Sequence, residues 1–180
     1  HTHYVIGTGA NDPQKMDPNA SRETLDHSIM YIFAVALEDG FWHHIKSYTS
    51  KRANRKSTIN LWRKIVTRER PKWTRKYHDP DSKKKSFGGK VTIFMKNGPS
   101  ISEEIIVADA HPSGKRPFER NEYINKFKNL TEGIITKNES FRFLKLVQNL
   151  KKLSSKELNG LNIEISGNKR GKTRKIAIFS

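Results

Sequence analysis

An almost wholly apolar run of ten residues, positions 28–37, sets the first limit on how this chain can fold. Charged and polar residues precede the run from Arg22 to His27, and Gly40 follows it. A polar first turn, an apolar body and a closing glycine are the pattern of a helix that packs into a core. The sequence therefore predicts one helix over about 22–39.

The segments on either side are predicted from local pattern in the same way. Residues 1–8 are typical of the end of a strand, and the density of Gly, Asn, Asp and Pro predicts a loop over 9–19. Apolar residues spaced along one face predict a second helix over 57–68. Pro71 is expected to end that helix.

A β-hairpin is predicted over 90–109. Apolar and polar residues alternate from Val91 to Lys96, and Asn97-Gly98 is a strong signal for a tight turn. Further helices are predicted over 119–130 and 139–152, followed by a short turn capped by Ser154. A hairpin followed by helices indicates the α+β class, with an antiparallel, hairpin-containing sheet packed against helices.

The charge is strongly unbalanced. The 180 residues include 35 Lys and Arg against 18 Asp and Glu, and the formal net charge is +17. Such a balance is typical of chains that bind nucleic acid, an acidic membrane or an anionic substrate. The alternative is an enrichment in lysine on solvated faces, which identifies no partner.

Cysteine is absent, which excludes disulfides, cysteine zinc ligands, iron–sulfur clusters held by this chain and a cysteine nucleophile. No apolar run approaches the roughly 20 residues of a membrane helix. No signal peptide is visible, and the chain begins at His1 rather than at Met. We therefore expect a domain of something longer.

His27 and Tyr31 are the first candidate site residues. Spaced four apart, they would share one helix face with Glu23, and Arg22 is nearby. Such a face can bind a carboxylate or handle a proton. The alternative is that Glu23 and Asp26 complement the positive helix start while Tyr31 belongs to the core.

Histidine and loop cations supply weaker candidates. His1 and His3 would face one side of a strand, as metal ligands can, but no acidic partner is close in sequence and no metal is predicted. The loop 111–120 places Lys115 and Arg116 around a glycine turn, where they can hold an anion or be a solvated connection. The basic, aromatic run 62–78 can stack on single-stranded nucleic acid, although Trp62 falls on an apolar helix face and is expected in the core.

Several ordered segments resemble the MmgE/PrpD family, and within it the bacterial 2-methylcitrate dehydratases. The resemblance covers about residues 1–160. The segments that carry it are HTHYVIGTGANDPQKMDPNASRETLDHSIMYIFAVALEDG (1–40), PKWTRKYHDP (71–80) and EEIIVADAHPSGKRPFERNEYINKF (103–127), with the hairpin between the last two.

The resemblance implies a C-terminal α+β lid domain at 1–130 and helices at 131–165 that return to an N-terminal helical domain. The remaining residues, 166–180, do not share the resemblance and are predicted from their composition to be a basic tail. It implies a cytoplasmic, homodimeric hydro-lyase of propionate catabolism, which removes water from the tricarboxylate 2-methylcitrate without a cofactor. The main acid and base residues of the family lie largely in the helical domain, so this chain alone is expected to be inactive.

On this chain, the resemblance makes His27 and Tyr31 the expected catalytic or proton-handling residues. The expected substrate-binding residues are Arg22, His3, Lys115 and Arg116. The alternative is a non-catalytic basic module, derived from a decayed enzyme gene, that binds other macromolecules. Nucleic acid is the less expected partner.

Overall fold

The computed structural model describes residues 1–165. The chain divides into two compact units, His1–Lys115 and a second that begins at Arg116. Short helices and a two-stranded antiparallel sheet make up the described residues, which confirms the α+β class. The predicted division at residues 130 and 165 rests on the expected family architecture and stays a prediction. The predicted basic tail, 166–180, lies outside the described residues.

The N-terminal segment is helical, so the predicted strand over 1–8 is wrong. Thr2–Ile6 forms a single π-helical turn, and Thr8–Ala10 forms a 3-10 turn. The backbone N–H of Thr8 donates to Thr67 Oγ1 at 2.9 Å, and the N–H of Thr67 donates to Thr8 Oγ1 at 3.1 Å. These side-chain bonds tie the segment to Thr67 and satisfy the two backbone N–H groups without a neighbouring strand.

The apolar run forms helix α2, Ile29–Asp39, and the charged residues before it form a separate helix α1, Arg22–Asp26. The prediction of a single helix over 22–39 is therefore wrong, because the helix is interrupted at His27 and Ser28. The hydroxyl of buried Ser28 accepts a hydrogen bond from the N–H of Tyr31 at 3.3 Å and donates to the carbonyl of Lys15 at 2.7 Å. Ser28 thus caps a new helix. Gly40 ends α2 with φ at 69°, as its position in the sequence predicted.

The core of the first unit forms around α2. Tyr31, Trp62, Ala34, Val35 and Ala53 are completely buried, and Met30 and Leu25 are nearly so. Trp62 comes from α4, Lys56–Trp62, and Ala53 from the short α3, Ser50–Ala53. The expectation that Trp62 belongs to the core is confirmed.

Two boundaries around Pro71 differ from the prediction. Helix α4 ends at Trp62, and Val66, which falls within the predicted helix 57–68, is 68% exposed. Pro71 does not end a helix but begins one, α5, Pro71–Tyr77. Proline suits the first position of a helix because its missing N–H would have had no intrahelical acceptor there.

The predicted hairpin is confirmed as strands β1, Gly89–Ile93, and β2, Ile101–Ile105. Its turn is wider than predicted, because the ladder closes at the Ile93–Ile101 pair. Gly98 has φ at 106°, but Asn97 does not take the positive φ that a two-residue turn requires. The loop residue Phe94 is 83% exposed.

The described part of the second unit, residues 116–165, contains three α-helices. These are α6, Arg120–Thr131; α7, Lys137–Gln148; and α8, Ser155–Leu158. Glu119 and Glu122 form a capping box at the start of α6, and Ser154 caps α8 as predicted. The rings of Phe127 and Phe143 stack with centroids 5.2 Å apart.

Candidate functional site

His27 lies at the end of α1 and is exposed to solvent. Its Nδ1 is 2.9 Å from the backbone carbonyl oxygen of Glu23. Because a carbonyl oxygen can only accept, Nδ1 carries the proton of this bond, and a neutral ring presents Nε2 outward as an acceptor. The ring is therefore held in one orientation with one nitrogen available to a ligand.

Tyr31 belongs to the next helix and is completely buried. Its hydroxyl donates to the backbone carbonyl of Ser47 at 2.5 Å, and its ring centroid is 4.9 Å from that of Trp62. Burial raises the pKa of Tyr31 above its ordinary value. The structure thus separates the two predicted residues: His27 meets solvent, whereas the Tyr31 hydroxyl is bonded inside the first unit.

Tyr48 connects the core to the surface beside His27. Its ring centroid is 4.8 Å from that of Trp42, and its hydroxyl donates to the Asp26 carboxylate. Burial, with Asp26 as the next cause, raises the pKa of Tyr48 well above its ordinary value. The guanidinium carbon of Arg22 lies 5.2 Å from the Tyr48 ring centroid, within cation–π range.

Arg22, Asp26, His27 and Tyr48 together form what we call the junction surface. It contains a guanidinium, which suits a carboxylate, an imidazole acceptor, and a carboxylate that can handle protons. Asp26 and Tyr48 were not predicted as site residues. Asp26 lies four residues after Arg22, a spacing that was available, but Tyr48 is too distant in sequence for any local signal.

His3 is held within the N-terminal turn. Its Nδ1 is 2.9 Å from Thr67 Oγ1, and its ring centroid is 4.7 Å from that of Tyr4. Tyr4 donates in turn to Glu69 Oε2 at 3.0 Å. The contacts of His3 and Tyr4 therefore tie the N-terminal turn to Thr67 and Glu69. The expected role of His3 in binding substrate stays a prediction.

Lys115 and Arg116 are exposed and fall on either side of the boundary between the two units. The loop before them is tightly wound: Gly114 N–H donates to the His111 carbonyl at 2.7 Å. A side chain at Gly114 would lie 2.3 Å from the Ala108 carbonyl oxygen. The turn therefore requires glycine, and the two cations follow it directly.

A pocket of about 660 Å³ lies beyond the C-terminal end of α2, and we call it the basic pocket. Its charged and apolar walls are formed by Asp39, Phe41, Lys46, Lys51, Arg52 and Arg55. Ser47 also lines it, so the residue that receives the Tyr31 hydroxyl is part of its wall. Sequence reasoning did not identify this pocket, because its residues are spread over 17 positions without a motif.

Neither a metal-binding cluster nor a membrane-spanning helix is found among the described residues. Within residues 1–165, no group of three or more His, Asp or Glu side chains converges as a metal site requires. The helices of the same residues include none long and apolar enough to cross a membrane.

Comparison with known proteins identifies the segment that carries the junction surface. A model of the MmgE/PrpD C-terminal domain matches residues 1–152. Among curated proteins, the alkylcitrate dehydratase phiI of Talaromyces stipitatus is 28% identical over 127 residues, which cover 68% of this chain. The matched part is 26% of that relative, so the chain spans about a quarter of its length.

Proposed function

The chain belongs to the MmgE/PrpD family, whose C-terminal domain it contains, and from this premise we propose that it serves a hydro-lyase acting on 2-methylcitrate or a related alkylcitrate. The observation that carries the proposal is the imidazole of His27, which the Glu23 carbonyl holds in one orientation within the matched segment. The guanidinium of Arg22, over the Tyr48 ring, belongs to the same segment. The relative named as an alkylcitrate dehydratase supports the same substrate class.

Dehydration of such a substrate breaks a C–H and a C–O bond, forms a carbon–carbon double bond and releases water. It needs a base for the departing proton and an acid for the departing hydroxyl. In this proposal Arg22 holds a substrate carboxylate and His27 accepts or returns a proton through Nε2. Tyr31 acts as a positioning residue, because its hydroxyl anchors the Ser47 segment rather than facing solvent.

The remaining groups come from elsewhere in this proposal. An N-terminal helical domain, in the same or a separate chain, closes the cleft over the junction surface and supplies the main acid and base. We further propose that the complete protein is a homodimer that acts in propionate breakdown in the cytoplasm. His3, Lys115 and Arg116 are proposed to contact the carboxylates of the substrate once the cleft is formed.

Replacing His27 tests the catalytic part of the proposal. In a complete enzyme that carries this domain, His27→Ala is expected to lower kcat/KM for 2-methylcitrate at least about tenfold, equivalent to about 1.4 kcal/mol. The absorbance of the conjugated alkene product reports the rate. His78→Ala is the control, because His78 is an exposed histidine of the same unit outside the junction surface. Unchanged kinetics in His27→Ala would remove His27 from the mechanism.

The variant Tyr31→Phe distinguishes a role of Tyr31 in positioning the site from a role in stability alone. Loss of the buried bond to Ser47 is expected to lower the free energy of unfolding by about 1–2 kcal/mol. If Tyr31 positions the site, kcat/KM also falls when it is measured in buffer where the variant is fully folded. A stability loss with full activity would leave Tyr31 as a core residue only.

The second candidate function is a basic binding module. Its specific support is Trp73, whose ring centroid lies 4.9 Å from Lys72 Nζ and 5.7 Å from Lys76 Nζ, a basic aromatic surface that suits single-stranded nucleic acid. Binding driven by phosphates falls steeply with salt concentration. Tight binding of single-stranded DNA at physiological salt, lost in Trp73→Ala, would favour this function over the hydro-lyase.

A further inference from the structure

The turn that follows α2 is built around the side chain of His43. Its Nδ1 accepts hydrogen bonds from the backbone N–H of Ile45 at 3.1 Å and from that of Lys46 at 3.2 Å. Because a backbone N–H can only donate, Nδ1 carries no proton while these bonds exist. The closed turn therefore requires a neutral imidazole whose proton is on Nε2.

The backbone of His43 closes the same turn. Its N–H donates to Ser47 Oγ at 3.0 Å, and its carbonyl accepts from the N–H of Ser47 at 3.2 Å. The N–H of Tyr48 donates to the Ile45 carbonyl at 2.9 Å, within the 3-10 turn Lys46–Tyr48. Residues 43–48, which we call the histidine turn, are thus a short closed segment whose first two N–H acceptors come from one imidazole nitrogen.

The histidine turn is connected to the core and to the junction surface. The Ser47 carbonyl accepts from the buried Tyr31 hydroxyl at 2.5 Å, and the Tyr48 hydroxyl donates to the Asp26 carboxylate. Both contacts depend on where the backbone of residues 47 and 48 lies. A change in the turn is therefore passed on to Tyr31 and to Asp26.

The charged groups around the histidine turn make a second proton costly there. The ring of His44 stacks on that of His43 with centroids 4.7 Å apart, and two imidazolium rings would repel at this distance. Glu38 and Asp39 of α2 are paired with Arg52 of α3, and Asp26 of α1 receives the Tyr48 hydroxyl. The other charged residues that line the adjoining basic pocket are the cations Lys46, Lys51 and Arg55.

We propose that the histidine turn is a proton-operated switch: a proton taken from solvent onto His43 Nδ1 breaks both backbone hydrogen bonds there, opens residues 43–48 and loosens the contact of Tyr48 with Asp26. Histidine is the side chain whose charge ordinarily changes between pH 5 and 8. Since the protonated ring cannot accept, the closed turn is favoured at pH 8 and lost as the pH falls. This inference goes beyond the proposed dehydratase activity, and its test needs no substrate.

Nuclear magnetic resonance of the full 180-residue chain between pH 8 and pH 5 tests the switch. At pH 8 the ring nitrogen shifts of His43 are expected to show a proton on Nε2 and none on Nδ1. As the pH falls, the amide signals of Ile45, Lys46 and Tyr48 are expected to shift with the same midpoint as the His43 ring. A proton on Nδ1 at pH 8, a ring that stays neutral to pH 5, or turn amides that do not change while the ring titrates would overturn the proposal.

A matched pair of variants assigns the transition to one ring. His43→Asn supplies a side-chain oxygen that can accept from the N–H groups of the same turn but does not titrate, so the shifts of residues 45–48 are expected to lose their pH transition. His78→Asn removes an exposed histidine of the same unit outside the histidine turn and is expected to keep the transition. A transition that persists in His43→Asn, or that is lost equally in both variants, would refute the role of His43.

Discussion

Among single residues, Glu139 organises the end of the second unit. Its two carboxylate oxygens each accept a hydrogen bond from Arg142 at 2.7 Å, and Oε1 also accepts from the N–H of Glu164 at 2.8 Å. Arg142 donates onward to the carbonyls of Gly160 and Asn162 at 2.6 and 2.8 Å. One ion pair on α7 therefore holds the segment that follows α8.

This ion pair predicts a pH dependence of stability. Hydrogen bonds from Arg142 and then from Glu164 lower the pKa of Glu139 to about 2. A carboxyl whose pKa is lower in the folded state adds stability above its unfolded pKa, about 4.3, and loses it as pH falls toward the folded value. We expect the second unit to lose stability between about pH 4.3 and about pH 2, measured by hydrogen exchange of α7.

Glu139→Gln should already lack this contribution at pH 7 and show a flatter pH profile. Glu132→Gln is the control, because Glu132 is an exposed carboxylate of the same unit. Identical profiles for both variants would show that the Glu139 pair does not stabilise the folded state.

At the level of elements, the start of α2 depends on Ser28. Ser28→Ala removes the helix cap and leaves the Lys15 carbonyl without its 2.7 Å donor. We expect a loss of about 2 kcal/mol in the free energy of unfolding, measured with urea. Ser154→Ala removes an exposed cap from α8 and is expected to cost about 1 kcal/mol or less. A larger effect at Ser154 would contradict the importance of the α1–α2 break.

The contact between the hairpin and α5 makes a second prediction at this scale. A methyl group at Gly88 would lie 2.2 Å from Trp73 Cζ3 and 2.5 Å from the Ile106 carbonyl oxygen, whereas at Gly89 it would meet nothing within 4 Å. Gly88→Ala is therefore expected to cost about 1–3 kcal/mol, and Gly89→Ala close to nothing. Urea unfolding followed by tryptophan fluorescence measures both, and equal costs would show that the hairpin does not pack on Trp73.

For the whole molecule, the two units differ in how many apolar residues they bury within residues 1–165. Tyr31 and Trp62 are completely buried in the first unit, whereas α6 contains no buried residue and the buried residue of α7 is the polar Glu139. Since buried apolar area supplies most of the stability of a domain, the second unit is expected to unfold at lower urea concentration.

Spectroscopy can separate these transitions because all three tryptophans, at positions 42, 62 and 73, belong to the first unit. Far-ultraviolet circular dichroism reports helices of both units. We expect part of the dichroism to be lost before tryptophan fluorescence changes. Coincident transitions from both probes would instead indicate one cooperative unit.

Local patterns in the sequence predicted several secondary-structure elements and the family of this protein. The hairpin, the helices of the second unit and the Ser154 cap followed from alternation, spacing and capping residues, because the backbone partners of these elements lie within the same short segment of chain. The family resemblance was likewise readable from ordered segments, and the match to residues 1–152 confirms it.

Contacts between residues far apart in the sequence determined the features that local patterns did not predict. The N-terminal turn depends on Thr67, 59 residues after Thr8, and the burial of the Tyr31 hydroxyl depends on Ser47. Tyr48 reaches Asp26 across 22 positions, and the basic pocket collects separate cations around α3. Such contacts form only when the chain folds back on itself, so no pattern of neighbours encodes them, and only the tertiary structure brought Tyr48 into the junction surface.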